Sequence, residues 1–227
     1  MPSPTYLSEQ DHVQISAAVT QAELQSAGEI VTILADRSDG YTDIALAWAA
    51  LAALLALSAL AIAPDFYIGL YDRLIADWGH QWSPRALFTL AAGIATLKFA
   101  AVLLIQFWQP LKFWLIPPPV KTARVHERAI RAFRIGAERR TMGRTGVLIY
   151  LSMREHRAEI VADEAIATKV DPEVWGEAMS AMLSHVREGR IAEGMCAAVE
   201  KVGAIVAPHF PRADDDINEI PDRLIEV

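Results

Sequence analysis

Three aspartates stand where a sheet can bring distant carboxylates to one edge. Asp36 closes an apolar run at 29–36, Asp39 follows it, and Asp163 closes a second run at 157–163. Oxygen donors of this kind suit a hard cation, Ca²⁺ or Mg²⁺, and such an ion could support phosphoryl chemistry. The competing reading leaves all three as exposed loop carboxylates. Other reactive side chains are sparse. His126, His156, His185 and His209 form no pair at metal-binding helical spacing. Cys196, the only cysteine, lies in an apolar helical stripe and reads as an inert core thiol. No G-x-x-x-x-G-K-[ST], G-x-G-x-x-G, G-x-S-x-G or H-E-x-x-H is present. Arg157 and Arg190 are the candidates for contacts with a partner.

The elements that must hold these residues follow from periodicity. Ser8 and Asp11 form an S-x-x-D start, and Ile15, Ala18, Val19 and Ala22 repeat as one helical face to about residue 27. The run 29–36, EIVTILAD, is apolar on both faces and predicts a strand covered on both sides. Residues 122–140 predict an amphipathic helix with Arg124, Arg128, Arg131 and Arg139 along one side. Two readings remain open for that side: a solvated face, or one lying near anionic headgroups. A second buried strand is expected at 147–152, then a tight turn at 153–156, then a half-exposed strand at 157–163 paired as a hairpin. Asp171-Pro172 starts a helix that Gly189 ends, and a last helix carries Ile191, Met195, Ala198, Val199, Val202 and Ile205. The acidic tail 211–227 is expected to be extended and mobile.

Between these pieces lies an apolar hairpin. Residues 44–63 hold no charge, and at about 1.5 Å per residue they reach the thickness of a bilayer core. The second arm, 87–116, is longer and contains Lys98 near its middle, which costs roughly 3 kcal/mol on insertion scales. Pro117, Pro118 and Pro119 then predict a stiff extended spacer. The loop between the arms carries only Arg73 and Arg85 as Lys or Arg. After the second arm come Lys121, Arg124, Arg128, Arg131, Arg134, Arg139, Arg140 and Arg144. This imbalance places the C-terminal part in the cytoplasm, and two spans return the N-terminus to the same side; the expected location is a bacterial inner (plasma) membrane. Tyr67, Tyr71, Trp78 and Trp82 suit a loop at the outer headgroup level.

The totals agree with this division. A hydrophobic share of 53% and a mean hydropathy of +0.22 are high for a soluble chain of 227 residues. The net charge of −7 excludes a general nucleic-acid binder, and one cysteine excludes an internal disulfide. The first residues show neither a basic segment nor an apolar core, so no cleaved signal peptide is expected.

The stretch VLIYLSMREHRAEIVADEAIATKV, followed by W-x(9)-H-x(4)-R-x(3)-G-M-x(2)-A-V-x(2)-V-G, resembles the TPM domain, named after thylakoid-lumen, photosystem II repair and acetylcholine-receptor-modulator proteins. The segment AELQSAGEIVTILAD resembles the family's opening helix and first strand, with Glu23 and Glu29 in its acidic places. The resemblance implies a compact α/β/α domain, membrane-tethered, with acidic residues able to hold a divalent cation. Some plant members of the family are acid phosphatases, and others are auxiliary factors for membrane complexes. Where many relatives carry a glycine-rich segment after the arginine-bearing strand, this chain has ADEAIATKV.

The expected architecture is therefore an α/β fold, a TPM-like domain split by a transmembrane hairpin. Residues 1–40 and 121–210 form the domain, 41–120 the hairpin with spans at about 44–63 and 87–116, and 211–227 the tail. The leading functional expectation is a cytoplasmic, non-catalytic interaction or assembly module for a membrane complex, with lipids and a membrane protein as partners. The alternative is a weak phosphatase dependent on Ca²⁺ or Mg²⁺ bound by Asp36, Asp39 and Asp163.

Overall fold

A capping box begins the first helix. The Ser8 hydroxyl accepts from Asp11 N at 3.3 Å, and the Asp11 carboxylate accepts from Ser8 N at 2.8 Å, so two orphan donors are satisfied reciprocally. In the computed structural model, which describes residues 6–74, 82–136, 145–212 and 218–227, that helix is α1, Glu9–Glu23. The chain divides into two compact units, residues 1–39 with 118–227, and residues 40–117.

In the first unit, β1 (Glu29–Ala35) and β2 (Gly146–Ser152) are buried at every position and pair in parallel, Ile30 beside Val147 and Ala35 beside Ser152. A strand with no exposed side has no polar face to offer water, which explains why apolar residues dominate both strands, with Glu29, Thr32 and Ser152 the buried polar exceptions. The tight turn after β2 returns the chain as β3 (Arg157–Ala162), antiparallel and half-exposed at the sheet's edge. Sheet order is β3-β2-β1-β4, where β4 is a two-residue strand in the tail.

The period of two along each strand sorts side chains into two cores. Ile30, Leu34, Val147, Ile149 and Leu151 pack with α1, with α8 (Pro172–Arg187) and with α9 (Ile191–Val206). Val31, Ile33, Ala35, Leu148 and Tyr150 pack with Val125, Ala129 and Phe133 of α6 (Pro118–Gly136). A short α7 (Glu164–Ala167) leads from β3 towards α8 and buries Ile166. Gly189, at φ +80°, ends α8 in a conformation that a side chain would strain. Gly194 sets the approach of α9 to α8, because an added Cβ would lie 2.8 Å from the Met182 carbonyl oxygen.

The second unit pairs α2 (Thr42–Ile62) with α4 (Pro84–Ile105), joined through α3 (Pro64–Leu74). Alanines mark the more sheltered side of α2: Ala45 and Ala49 are buried, and Ala52, Ala53, Ala56 and Ala59 are partly so. Small side chains let two helix backbones approach closely. Leu46, Leu51, Leu54, Leu55 and Ile62 are exposed. Beyond α4 the chain breaks at 106–108 and re-forms as α5 (Gln109–Leu115). Gln106 is buried and donates to the Ala45 carbonyl at 3.1 Å, while Tyr41 and Phe113 meet edge to face at 5.7 Å.

Three expectations change. The second arm is two helices, because Pro110 sits at the start of a new helix and cannot continue the old hydrogen-bond ladder. Pro118 and Pro119 belong to the first turn of α6, where the missing N–H would have had no partner anyway. The described part of the tail is anchored: Ile220 and Leu224 are buried, and β4 (Ile225–Glu226) pairs in parallel with Ile33 and Leu34. Trp78, Arg139, Arg140, Arg144, Asp214, Asp215 and Asp216 lie outside the described residues.

Candidate functional site

The carboxyl ends of β1 and β2 carry one polar cluster. Open α/β sheets bind ligands beyond such ends, so this edge is the first place to look. Glu155, in the turn between β2 and β3, is only 1% exposed. Its carboxylate accepts from Ser38 N at 2.9 Å and from Ser152 Oγ at 2.6 Å. The Ser38 hydroxyl in turn contacts Ser152 Oγ at 3.0 Å and Tyr150 OH at 3.1 Å. Burial pushes the Tyr150 phenol up, so it stays a neutral hydrogen-bonding group. Ser152 is fully buried and Ser38 half-buried, and both hydroxyls are engaged in this network. The network ties the loop after β1 to the turn after β2.

Asp36 and Asp39 lie at this edge, each held by a cation. Arg154 Nε donates to Asp36 at 2.8 and 3.0 Å, and Tyr6 OH donates to Asp36 at 2.5 Å. Burial raises the Asp36 carboxyl, but the hydrogen bonds from Tyr6 and Arg154 and the charges of Arg154 and Arg37 outweigh it and hold it below the usual range. Tyr6 is pushed up to about 12, by burial first and then by Asp36. Asp39 pairs with Arg124 Nε at 3.2 Å. Arg157 reaches Thr122 Oγ1 at 3.4 Å and the His156 carbonyl at 3.0 Å. Lys121 is pushed down by burial and then by the Arg157 charge, with Glu155 opposing.

Asp163 lies at the other end. Because β3 runs antiparallel to β2, its last residues sit beside the start of β2, and Asp163 accepts from Gly146 N at 3.1 Å. Six residues of strand separate that position from Ser152, about 20 Å at 3.3 Å per residue. The three aspartates therefore do not share one edge. Among the described residues, no group of three or more His, Cys, Asp or Glu side chains is placed to hold a metal ion.

That amino edge holds a second acidic set. Glu23, 8% exposed, accepts from Ile30 N at 2.8 Å and faces Asn218 at 3.4 Å. Burial pushes it up to about 8, the Ile30 hydrogen bond opposes this, and the neighbouring Glu29 and Asp222 reinforce it. Glu29 accepts from the backbone N–H groups of Glu219 and Ile220 at 3.1 and 3.2 Å. The acids thus staple the tail to the sheet. The signal in the sequence was their position, on either side of the turn into an all-buried strand.

Arg190 lies at the turn into α9, where it is bound to Glu188 and Glu193. A polar cleft of about 160 Å³ runs past it, between Tyr6, Asp11 and Gln14 on one side and Arg190 and Glu193 on the other. Cys196 is buried beside a groove between α1 and α9, and burial pushes its thiol up.

Residues 120–205 match the family model of the TPM domain. The NMR structure of the BA42 protein from the psychrophilic bacterium Bizionia argentinensis is similar over 100% of this chain and 99% of that one. The TM-score is 0.57 and the identity 17%, a likeness of fold alone. No curated protein matches the chain by sequence.

Proposed function

We propose that this chain, which carries a TPM domain, is a two-span membrane protein that presents the domain to the cytoplasm as a non-catalytic interaction or assembly module for a membrane complex. In this reading the hairpin is inserted into the crossover between β1 and β2, so the sheet is completed only when both flanks come together. The observation that carries the membrane part is the exposure of α2 and α4. Their most apolar windows are only 11% and 0% buried, whereas a core helix of a soluble protein hides most of its surface. Large aliphatic side chains face outward, and a surface of that kind over about 30 Å suits the hydrocarbon core of a bilayer.

The non-catalytic part is supported by the state of the carboxylates. Asp36 and Asp39 are engaged by arginines, Glu155 by the Ser152 hydroxyl and the Ser38 N–H, and Asp163 by the Gly146 N–H. A phosphatase needs an accessible nucleophile or a metal at the phosphoryl oxygens. Two measurements test the proposal. Purified protein with added Ca²⁺ or Mg²⁺ is expected not to hydrolyse a generic phosphomonoester; robust turnover that disappears in Asp163→Asn would make it the metal-dependent phosphatase instead. Reporters fused after Val227 and at Gly69 are expected on opposite sides of the membrane, cytoplasmic and external; both on one side would refute the two-span reading.

A further inference from the structure

Lys98 is the one charged residue well inside the two long apolar helices. It is the fifteenth residue of α4, thirteen residues beyond Arg85 and eight before Gln106. These separations correspond to about 20 and 12 Å of helix. Gln106 is bonded to Ala45 O, and Lys112 Nζ to Gly40 O at 2.5 Å, so polar groups gather at that end of the hairpin. A four-carbon side chain falls short of that level by several ångströms.

Its own hairpin offers it nothing. Counted from the Gln106–Ala45 bond, Lys98 is roughly level with Ala53 on the antiparallel α2, among Ala49, Ala52 and Ala56. Neither helix contains an aspartate or glutamate between residues 44 and 62 or between 84 and 105. Among the described residues Lys98 is exposed and has no hydrogen-bond or ion-pair partner. An ammonium in hydrocarbon is costly, and intramembrane charges pair with one another or line a functional path.

Resting on the membrane reading above, we infer that Lys98 is the docking charge for a third transmembrane helix, one that belongs to a partner protein and carries an aspartate or glutamate at mid-bilayer depth. Charge selects the occupant. A second copy of this hairpin would bring another Lys98 and, between residues 44 and 62 or 84 and 105, no carboxylate to meet it, and the two ammoniums would repel. A partner carboxylate neutralises the lysine and replaces lost hydration with a charge-assisted hydrogen bond. The remainder of the face, with Ile94 and Ala101 one turn to either side, supplies apolar contact.

The test keeps the full chain in its native membrane. A photo-crosslinking phenylalanine analogue replaces Ile94 or Ala101, and the crosslinked peptide is identified by mass. The expected adduct joins the chain to an apolar span of another protein containing Asp or Glu. It falls about tenfold or more in Lys98→Leu, since one partner of a desolvated pair is then left uncompensated. It survives in Lys98→Arg, and in Lys98→Glu it returns when the partner's carboxylate is changed to lysine. No adduct, an adduct indifferent to Lys98→Leu, or one to lipid, to a second copy or to a span without a carboxylate overturns the inference. Alkaline carbonate washing of the same membranes separates the two claims. Release of the chain overturns the membrane reading and this inference together, whereas a retained chain without the adduct overturns this inference alone.

Discussion

Glu23 shows how one buried side chain can set a pH dependence. Its folded-state value of about 8 lies above the ordinary 4.5, so between those limits the folded chain holds a proton that the unfolded chain has lost. Stability from this group is therefore highest below about pH 4.5, falls as pH rises through the window, and levels off above 8. The slope is at most about 1.4 kcal/mol per pH unit. Glu23→Gln keeps the acceptor for Ile30 N and offers Asp222 a neutral donor, so it is expected to raise stability at pH 8 and flatten the profile. Thermal unfolding of wild type and variant in detergent, from pH 5 to 9, reads this. An unchanged slope in the variant would show that Glu23 is ionised throughout.

Among the elements, α9 is the most constrained. Ala192, Met195, Ala198, Val199, Val202 and Val206 are buried, and Gly194 and Gly203 are there because neighbours come too close for a side chain. At Gly203 an added Cβ would stand 2.8 Å from the Ala22 Cβ of α1. At Gly194 the obstacle is the Met182 backbone carbonyl, which cannot swing aside as a long side chain can. Gly194→Ala is therefore expected to destabilise the fold by about 1–3 kcal/mol, even though alanine is the better helix former. Chemical denaturation checks it, and a neutral or stabilising result would mean that α8 and α9 separate without cost. In the sequence this glycine is the last residue of the R-x(3)-G element that begins at Arg190. Its physical reason is helix packing, and Arg190 of the same element is a local clasp to Glu188 and Glu193.

At the scale of the whole molecule, segments distant in sequence complete one sheet. Tyr6 N donates to Glu226, Glu29 receives Glu219 N and Ile220 N, and Val227 pairs through its backbone with Leu34 and Asp36. Ending the chain at residue 217 would remove Ile220, Leu224 and β4, and with them the Glu219 and Ile220 N–H groups that Glu29 accepts from. Each lost aliphatic side chain is worth about 1.5–3 kcal/mol of burial. The truncated protein is expected to be cut by protease well before wild type within residues 1–39 and 118–212. Equal resistance would show that the tail is dispensable to the sheet. Deletion of residues 1–36 is expected to act the same way, because β2 would lose its parallel neighbour.

Local chemistry decided much of this protein before any fold was known. The capping box at Ser8 and Asp11, the two strands apolar on both faces, the turn at 153–156 and the charge-free helical run from 44 to 62 are all written in neighbouring residues. Periodicity reports which side of an element is buried, so the face of α9 was legible as well. Asp163 was partly legible: a tight turn makes β2 and β3 antiparallel, which alone returns it to the amino edge, away from Asp36 and Asp39. Tertiary structure decided the rest. A two-residue strand such as β4 has no pattern of its own and exists because β1 has an open edge. The pairing of Glu155 with Ser38 spans 117 positions, and that of Glu29 with Ile220 spans 191. Burial periodicity is a property of nearest neighbours along the chain, whereas a polar partner is chosen by which ends of the sheet meet in space.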